Sequence, residues 1–240
     1  MKYIILFTFL IFTTITNASN LPDFPFVVST GIAKQDVKPD IATININVLA
    51  FDKDSIKSLD LANIASKGVI DLLTKYKINI KQLEAGDIQK STKRNRDKDY
   101  NQLEILGYEV SRNIKLKLTD LSYYSELMND LVSIDNVSGM NTQFDVSSRK
   151  KIESKLIKAA SKNAQDKATK MAHGLNSKIH SVYAISQASN FDGFFATFGA
   201  SSYSPESAYA MRQRMARNVA MFIPESINIS QNINVVFRLK

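Results

Sequence analysis

Two periodicities alternate along this chain. Within residues 41–48, Ile44, Ile46 and Val48 alternate with polar neighbours, the period of a strand with one face in a core and the other in water. The same alternation returns in Ile114-Lys115-Leu116-Lys117-Leu118 and in Ile233, Val235, Phe237 and Leu239. Elsewhere apolar residues recur at spacings of three and four. Ile56, Leu59, Ala62, Ala65, Val69, Leu72, Leu73 and Tyr76 predict a helix over 55–76, for which Asp54 or Ser55 supplies the N-terminal cap. Leu121, Tyr124, Leu127, Met128 and Leu131 predict a second helix behind Asp120, ending by Asp135-Asn136. Ile152, Leu156, Ala160, Ala164, Ala168 and Met171 predict a third, opened by Ser147 or Ser148 and reaching His173, with Gly174 as a left-handed cap. Its alanines suit a helix that lies close to a sheet.

Further strands are expected at 26–31, 81–89, 137–146, 179–187 and 227–239, and a return strand from about residue 103. The charged run 90–101 reads as the exposed end of a hairpin. Strands with antiparallel character and interspersed helices indicate an α+β fold with helices packed on one face of the sheets.

Composition places this fold in a compartment. Met1-Lys2-Tyr3 is followed by the uncharged run Ile4 to Phe12 and then by polar residues up to Ala18, the layout of a secretory signal peptide. The run is about half the ~20 apolar residues that a membrane span needs. Residues 1–18 are therefore expected to be removed, leaving an exported form that starts at Ser19. With no cysteine, neither disulfides, thiolate metal sites nor a lipid anchor at the cleavage site can form, so stability must come from burial. The net charge is +8, of which Lys2 carries one unit. A basic surface fits anionic lipid, polyanionic envelope material or an acidic protein. Heavy use of Lys, Asn and Ile is equally what an AT-rich genome produces. Nucleic acid is not an expected partner of an exported chain, and membrane contact is expected to be peripheral at most.

The search for chemistry yields surfaces instead of a reaction centre. His173 and His180 sit in no metal motif, and there is no nucleophile elbow, phosphate loop or dinucleotide fingerprint. Met211, Met215 and Met221 form a thioether group that is better read as apolar packing than as a copper site. No cofactor, no metal and no catalytic residues are expected. The third helix carries eight basic against two acidic residues, and Arg149, Lys150 and Lys151 crowd its first turn, at the positive end of the helix dipole. Acidic neighbours compensate there, an anion binds there, or the face is simply solvated. Phe191, Phe194, Phe195, Phe198 and Tyr203 crowd a Gly/Ser-rich segment near 188–211. That segment either forms an interaction surface or folds back over its own sheet.

Several of these features occur together in one family. Gly31, Val37-Lys38-Pro39-Asp40-Ile41-Ala42, Gly107-Tyr108-Glu109-Val110, the stretch Gly139 to Phe144, Ala159-Ala160 to Ala172 with Gly174, and Pro224 to Leu239 resemble, in that order, the SIMPL-domain family. Pro224-Glu225-Ser226 departs from the Pro-Gly that the family often places before its last strand. The resemblance implies a two-lobed α+β protein, the lobes spanning about 19–106 and 107–240, exported to the periplasm or associated with the outer membrane. It also implies self-assembly into an oligomer, a ring in some relatives, and roles in envelope stress or immune recognition without an established enzymatic activity. The expectation is a non-enzymatic envelope protein; the alternative is a periplasmic binding or chaperone-like module that uses the aromatic segment.

Overall fold

The alternating segments form strands and the segments of helical period form helices in a computed structural model that describes residues 22–95, 104–187 and 222–240. Eight strands are described: β1 (Phe26–Val37), β2 (Ile41–Asp52), β3 (Leu83–Ala85), β4 (Gln89–Arg94), β5 (Ile105–Leu118), β6 (Val137–Asp145), β7 (Ile179–Ser186) and β8 (Ile227–Leu239). The helices are α1 (Ser55–Lys75), α2 (Tyr124–Val132) and α3 (Arg149–Gly174). The fold is α+β, as the pattern predicts.

The strands make two antiparallel sheets. One has the order β1-β8-β7; in the other, β6, β2 and β5 run side by side, and β3 and β4 both pair with the far edge of β5. In the larger sheet β2 turns Ala42, Ile44, Ile46, Val48 and Ala50 inward, each without solvent exposure. Val110, Ile114, Leu116 and Leu118 of β5 lie beside them, under Val69 and Leu73 of α1 and Leu127 and Leu131 of α2. Asp54 caps α1 by accepting hydrogen bonds from the backbone N–H groups of Ile56 (2.7 Å) and Lys57 (3.4 Å). The smaller sheet is covered by α3 alone of the three helices.

Residue 106 does not separate the sheets, against the expected lobes of 19–106 and 107–240. β2 lies between β5 and β6, and β1 pairs with β8 through all twelve of its residues, from Phe26–Arg238 to Val37–Ile227. Antiparallel pairing of the first strand with the last brings distant parts of the chain into one layer. Among the described residues the chain passes from one sheet to the other at Lys38-Pro39-Asp40 and at Val146-Ser147-Ser148, and again between Ile223, which packs on the larger sheet's core, and β8; Asp40 ties the first two passages together. Its backbone N–H donates to the Asp145 carbonyl (3.1 Å), and its carboxylate accepts from the backbone N–H and the hydroxyl of Ser147 (both 2.6 Å).

Three details differ from the sequence expectations. Ile56 and Leu59, expected on the inner face of α1, are 69% and 37% exposed, because α1 is seated through the smaller Ser58, Ala62, Ala65 and Ser66. Residues 81–89 are not one strand: a short 3-10 turn over Ile80–Gln82 leads into β3, and the chain breaks at 86–88 before β4. Gly174 is still helical. The left-handed residue after α3 is Asn176 (φ 54°), and the N–H of Ser177 reaches back to the carbonyl of Ala172 (2.9 Å), which closes the helix end.

Candidate functional site

The third helix has two opposite faces, and the inner one explains how the outer is presented. Inward, Leu156, Ala160, Ala164, Ala168 and Ala172 form a buried row at a spacing of four. Facing them on β1 is Gly31, where an added Cβ would lie only 1.9 Å from the carbonyl oxygen of Ala160 and 2.6 Å from the backbone nitrogen of Ala164. Only glycine permits this approach of backbone to backbone. Side chains then join the helix to the strand. Ser29 donates to the carbonyl of Ala164 (2.8 Å), Lys167 to the carbonyl of Thr30 (2.9 Å), and the Asn163 side chain accepts from the N–H of Ile32 (3.1 Å). The last two bonds also occupy backbone groups of β1, the Thr30 carbonyl and the Ile32 N–H, which would otherwise be open to another strand.

Outward, the same helix presents Lys151, Lys155, Lys158 and Lys162, all exposed. At 100° per residue the four fall within about 60° of arc, opposite the alanine row, over a length of about 16 Å. Neighbours along this row are three or four residues apart, a spacing at which like charges repel by about 0.2–0.5 kcal/mol per pair. The helix holds six of the chain's eight net positive charges. Among the described residues none of the four lysines takes part in an ion pair.

Of the alternatives left open for the first turn, compensation by acidic neighbours holds for Arg149 alone among the described residues. Arg149 is held by neighbouring acids, with Nε 2.6 Å from Asp145 Oδ1 and a second nitrogen 3.4 Å from Glu153 Oε1. Lys150 and Lys151 stay exposed. The anion contact expected of Arg149, Lys150 and Lys151 as a unit thus loses its guanidinium to an internal ion pair, while the cations that remain free continue down the helix. The sequence expectation rested on the first turn and missed this row, although its lysines recur at spacings of three and four opposite the alanine stripe.

Of the other candidates, Phe191, Phe194, Phe195, Phe198 and Tyr203 lie outside the described residues, as do Met211, Met215 and Met221. Met128 is in the core of the larger sheet. Met171, expected on the inner face of α3, is 43% exposed, because the buried row at this end of the helix runs through Ala168 and Ala172 instead, at 0% and 1% exposure. His173 is exposed in the final helical turn, and His180 Nδ1 lies 3.0 Å from the Ser181 hydroxyl. Among the described residues no three His, Cys, Asp or Glu side chains converge on a metal-sized site. No described helix is long and apolar enough to cross a membrane.

Two further surfaces were not legible in the sequence. A cleft of about 330 Å³ lies at the end of α1, lined by Tyr76, Asn79, Gln82, Thr119 and Tyr123 among others. Beside it Tyr76 and Lys75 both donate to Asp130 Oδ2 (2.6 Å each), which holds the Asp130 carboxyl below the usual carboxylate range and raises both donors above theirs. On β7, the end strand of the smaller sheet among the described residues, Val182, Tyr183 and Ile185 are 51%, 54% and 61% exposed. Two register shifts against β8 accompany this strand.

Residues 27–237 match the model of the SIMPL family, described as proteins of unknown function (DUF541). The chain belongs to the SIMPL family. It is similar to the uncharacterized protein YggE of Escherichia coli (strain K12), with 25% identity over 228 residues, 93% of this chain and 87% of YggE. YggE of Edwardsiella ictaluri is 21% identical over 227 residues, 92% of this chain and 90% of the relative. The 26 kDa periplasmic immunogenic protein of Brucella melitensis biotype 1 is 24% identical over 166 residues, 68% of this chain and 66% of the relative. The SIMPL match takes in both sheets and all three helices, so the close seating of α3 on Gly31 lies within the family's shared region.

Proposed function

We propose that this SIMPL protein is exported to the periplasmic side of the cell envelope and works there without catalysis, by self-association and surface binding. Export is supported by the leader-like residues 1–18 and by the similarity to a Brucella protein named as periplasmic. The observation that carries self-association is the contrast among strand edges. The edge of β1 is occupied by α3, and β4 bears Lys90, Lys93 and Arg94, the sort of charge that discourages strand addition. β7 has no Asp, Glu, Lys or Arg among its eight residues and exposes three large apolar side chains. An uncharged apolar edge of this kind suits pairing with a second copy.

Intact mass of the exported protein tests the first half: a chain starting at Ser19 and released without detergent is expected, and retention of Met1 would overturn it. Light scattering tests the second half. A single species larger than a monomer is expected, dissociated by Val182→Lys with Ile185→Lys while circular dichroism is unchanged; a monomeric wild type would refute assembly. The second reading, a binding module for apolar clients, is favoured by the same exposed side chains. It predicts a monomer or dimer that binds a hydrophobic dye, and the same pair of substitutions would abolish that binding.

A further inference from the structure

We propose that the lysine row of α3 is a docking surface for an anionic lipid bilayer, with Lys151, Lys155, Lys158 and Lys162 facing the phosphate headgroups. The argument starts from cost. Four cations in successive turns repel one another, and no ion pair with the described residues relieves them. The other acidic groups of the helix do not offset the row: Glu153 is engaged by Arg149, and Asp166 stands only at its far end. An external anion relieves this repulsion.

Geometry selects the kind of anion. The alanine seat fixes the opposite face of the helix against β1 and β8, so the row stands on an outward ridge. A ridge offers all four ammonium groups at once to a flat array of charges, whereas the shallow, open depression of about 610 Å³ that Lys158 and Lys162 line does not surround a small anion and also takes in the Asp166 carboxylate, whose charge works against one. The residue type agrees, because lysine is a hydrated point charge without the two-pronged fork by which arginine clamps a single phosphate. The apolar face of α3 is already spent on its own sheet, so the helix adsorbs by charge and does not sink its apolar side into the acyl region as an interfacial amphipathic helix does. Adsorption of this type places the smaller sheet next to the membrane with α3 between them.

The proposal rests on the envelope reading above for its setting, but it is tested with purified protein and is independent of export and of self-association. The exported full chain is sedimented with vesicles of phosphatidylcholine alone and of phosphatidylcholine containing one third phosphatidylglycerol. Binding is expected to the anionic vesicles only, and to vanish at molar salt, where the screening length falls to about 3 Å. Each lysine at such a surface contributes about five-fold in affinity, so Lys151→Gln, Lys155→Gln, Lys158→Gln and Lys162→Gln together should weaken binding several hundred-fold. A control with the same charge change, Lys57→Gln, Lys67→Gln, Lys81→Gln and Lys117→Gln, should lose less than about ten-fold, because those positions lie away from the ridge. Circular dichroism and light scattering on both variants keep folding and self-association separate from lipid binding.

Equal losses in the two variants, or no preference for the anionic vesicles, would overturn the proposal. Retention on a heparin column without vesicle binding would also overturn it, in favour of an anionic polysaccharide chain.

Discussion

The two helix-on-sheet layers of this protein are built in opposite ways. Over the larger sheet, apart from the small-residue seat of Ser58, Ala62, Ala65 and Ser66 on α1, branched and aromatic side chains interlock: Ile44, Ile46, Ile114, Leu116, Tyr124, Leu127 and Leu131 are all at or below 2% exposure. Over the smaller sheet the helix supplies alanine, and the strand beneath supplies Gly31. The first layer gains its stability from volume that fills a space, the second from the nearness of two backbones. A layer of the first kind is weakened by removing atoms and one of the second kind by adding them. Among the described residues the outer half of its helix stays exposed, and that is where the basic residues collect.

Substitutions in the two layers should therefore respond with opposite sign to size. Leu127→Ala, in the interlocked layer, is expected to cost about 2–5 kcal/mol in urea unfolding, through lost burial and a residual cavity. Gly31→Ala is expected to cost about 3 kcal/mol, at the upper end for overpacking, since the new methyl group meets a backbone carbonyl that yields only if the whole helix moves. Ala164→Leu belongs with it at about 1–3 kcal/mol, while Lys162→Leu, two residues away on the outer face, should change the midpoint little. Equal midpoints for these last two variants would show that the seated face of α3 is misassigned and would dissolve the contrast.

A smaller effect belongs to the joint between the layers. Asp40→Ala removes both acceptors of Ser147 and is expected to cost about 1 kcal/mol. The same contacts give a pH signature. Hydrogen bonds from the Ser147 hydroxyl and N–H depress the Asp40 carboxyl below its ordinary 3.8, so its contribution is present above that value and is lost as the pH falls through the depressed one. The difference in stability between wild type and Asp40→Ala should shrink on acidification below about pH 4; a difference constant from neutral to acid pH would remove Asp40 as the tie. Smallest of all, Gly139→Ala on β6 meets nothing within 4 Å and is expected within about 0.5 kcal/mol of wild type. It calibrates Gly31: if both glycines tolerate alanine, close seating of α3 is refuted.

The sequence read most of the secondary structure correctly for a plain reason. Strand and helix periods are local, and each of β2, β8 and α3 shows its period over two or more repeats. It read less well where the backbone turns on small residues or leaves its layer. Ile56 and Leu59 look apolar enough to be core, but Ser58, Ala62 and Ala65 win the contact because close approach selects size over hydrophobicity. The break between β3 and β4 falls on Gly86-Asp87-Ile88, where the glycine is a local signal that the single-strand expectation passed over; the pairing on both sides of it belongs to β5. Arg149 could be placed in the first helical turn but not in its ion pairs, of which Asp145 lies at the end of the preceding strand.

What the sequence by itself determined is the α+β class, the three amphipathic helices, the excess of lysine on the third, and the order of turns and core positions that marks a SIMPL chain. Each depends on residues close together along the chain. Only the tertiary structure decided that β1 joins β8, that the sheets ignore the boundary at residue 106, and that Gly31 lies under Ala160. These are contacts between segments far apart along the chain, from Asp52–Tyr108 to Phe26–Arg238, and no local period encodes which distant partner a strand will choose. The lysine ridge needs both sources: the sequence supplies the charges at helical spacing, and the seating of the opposite face turns them outward as one row.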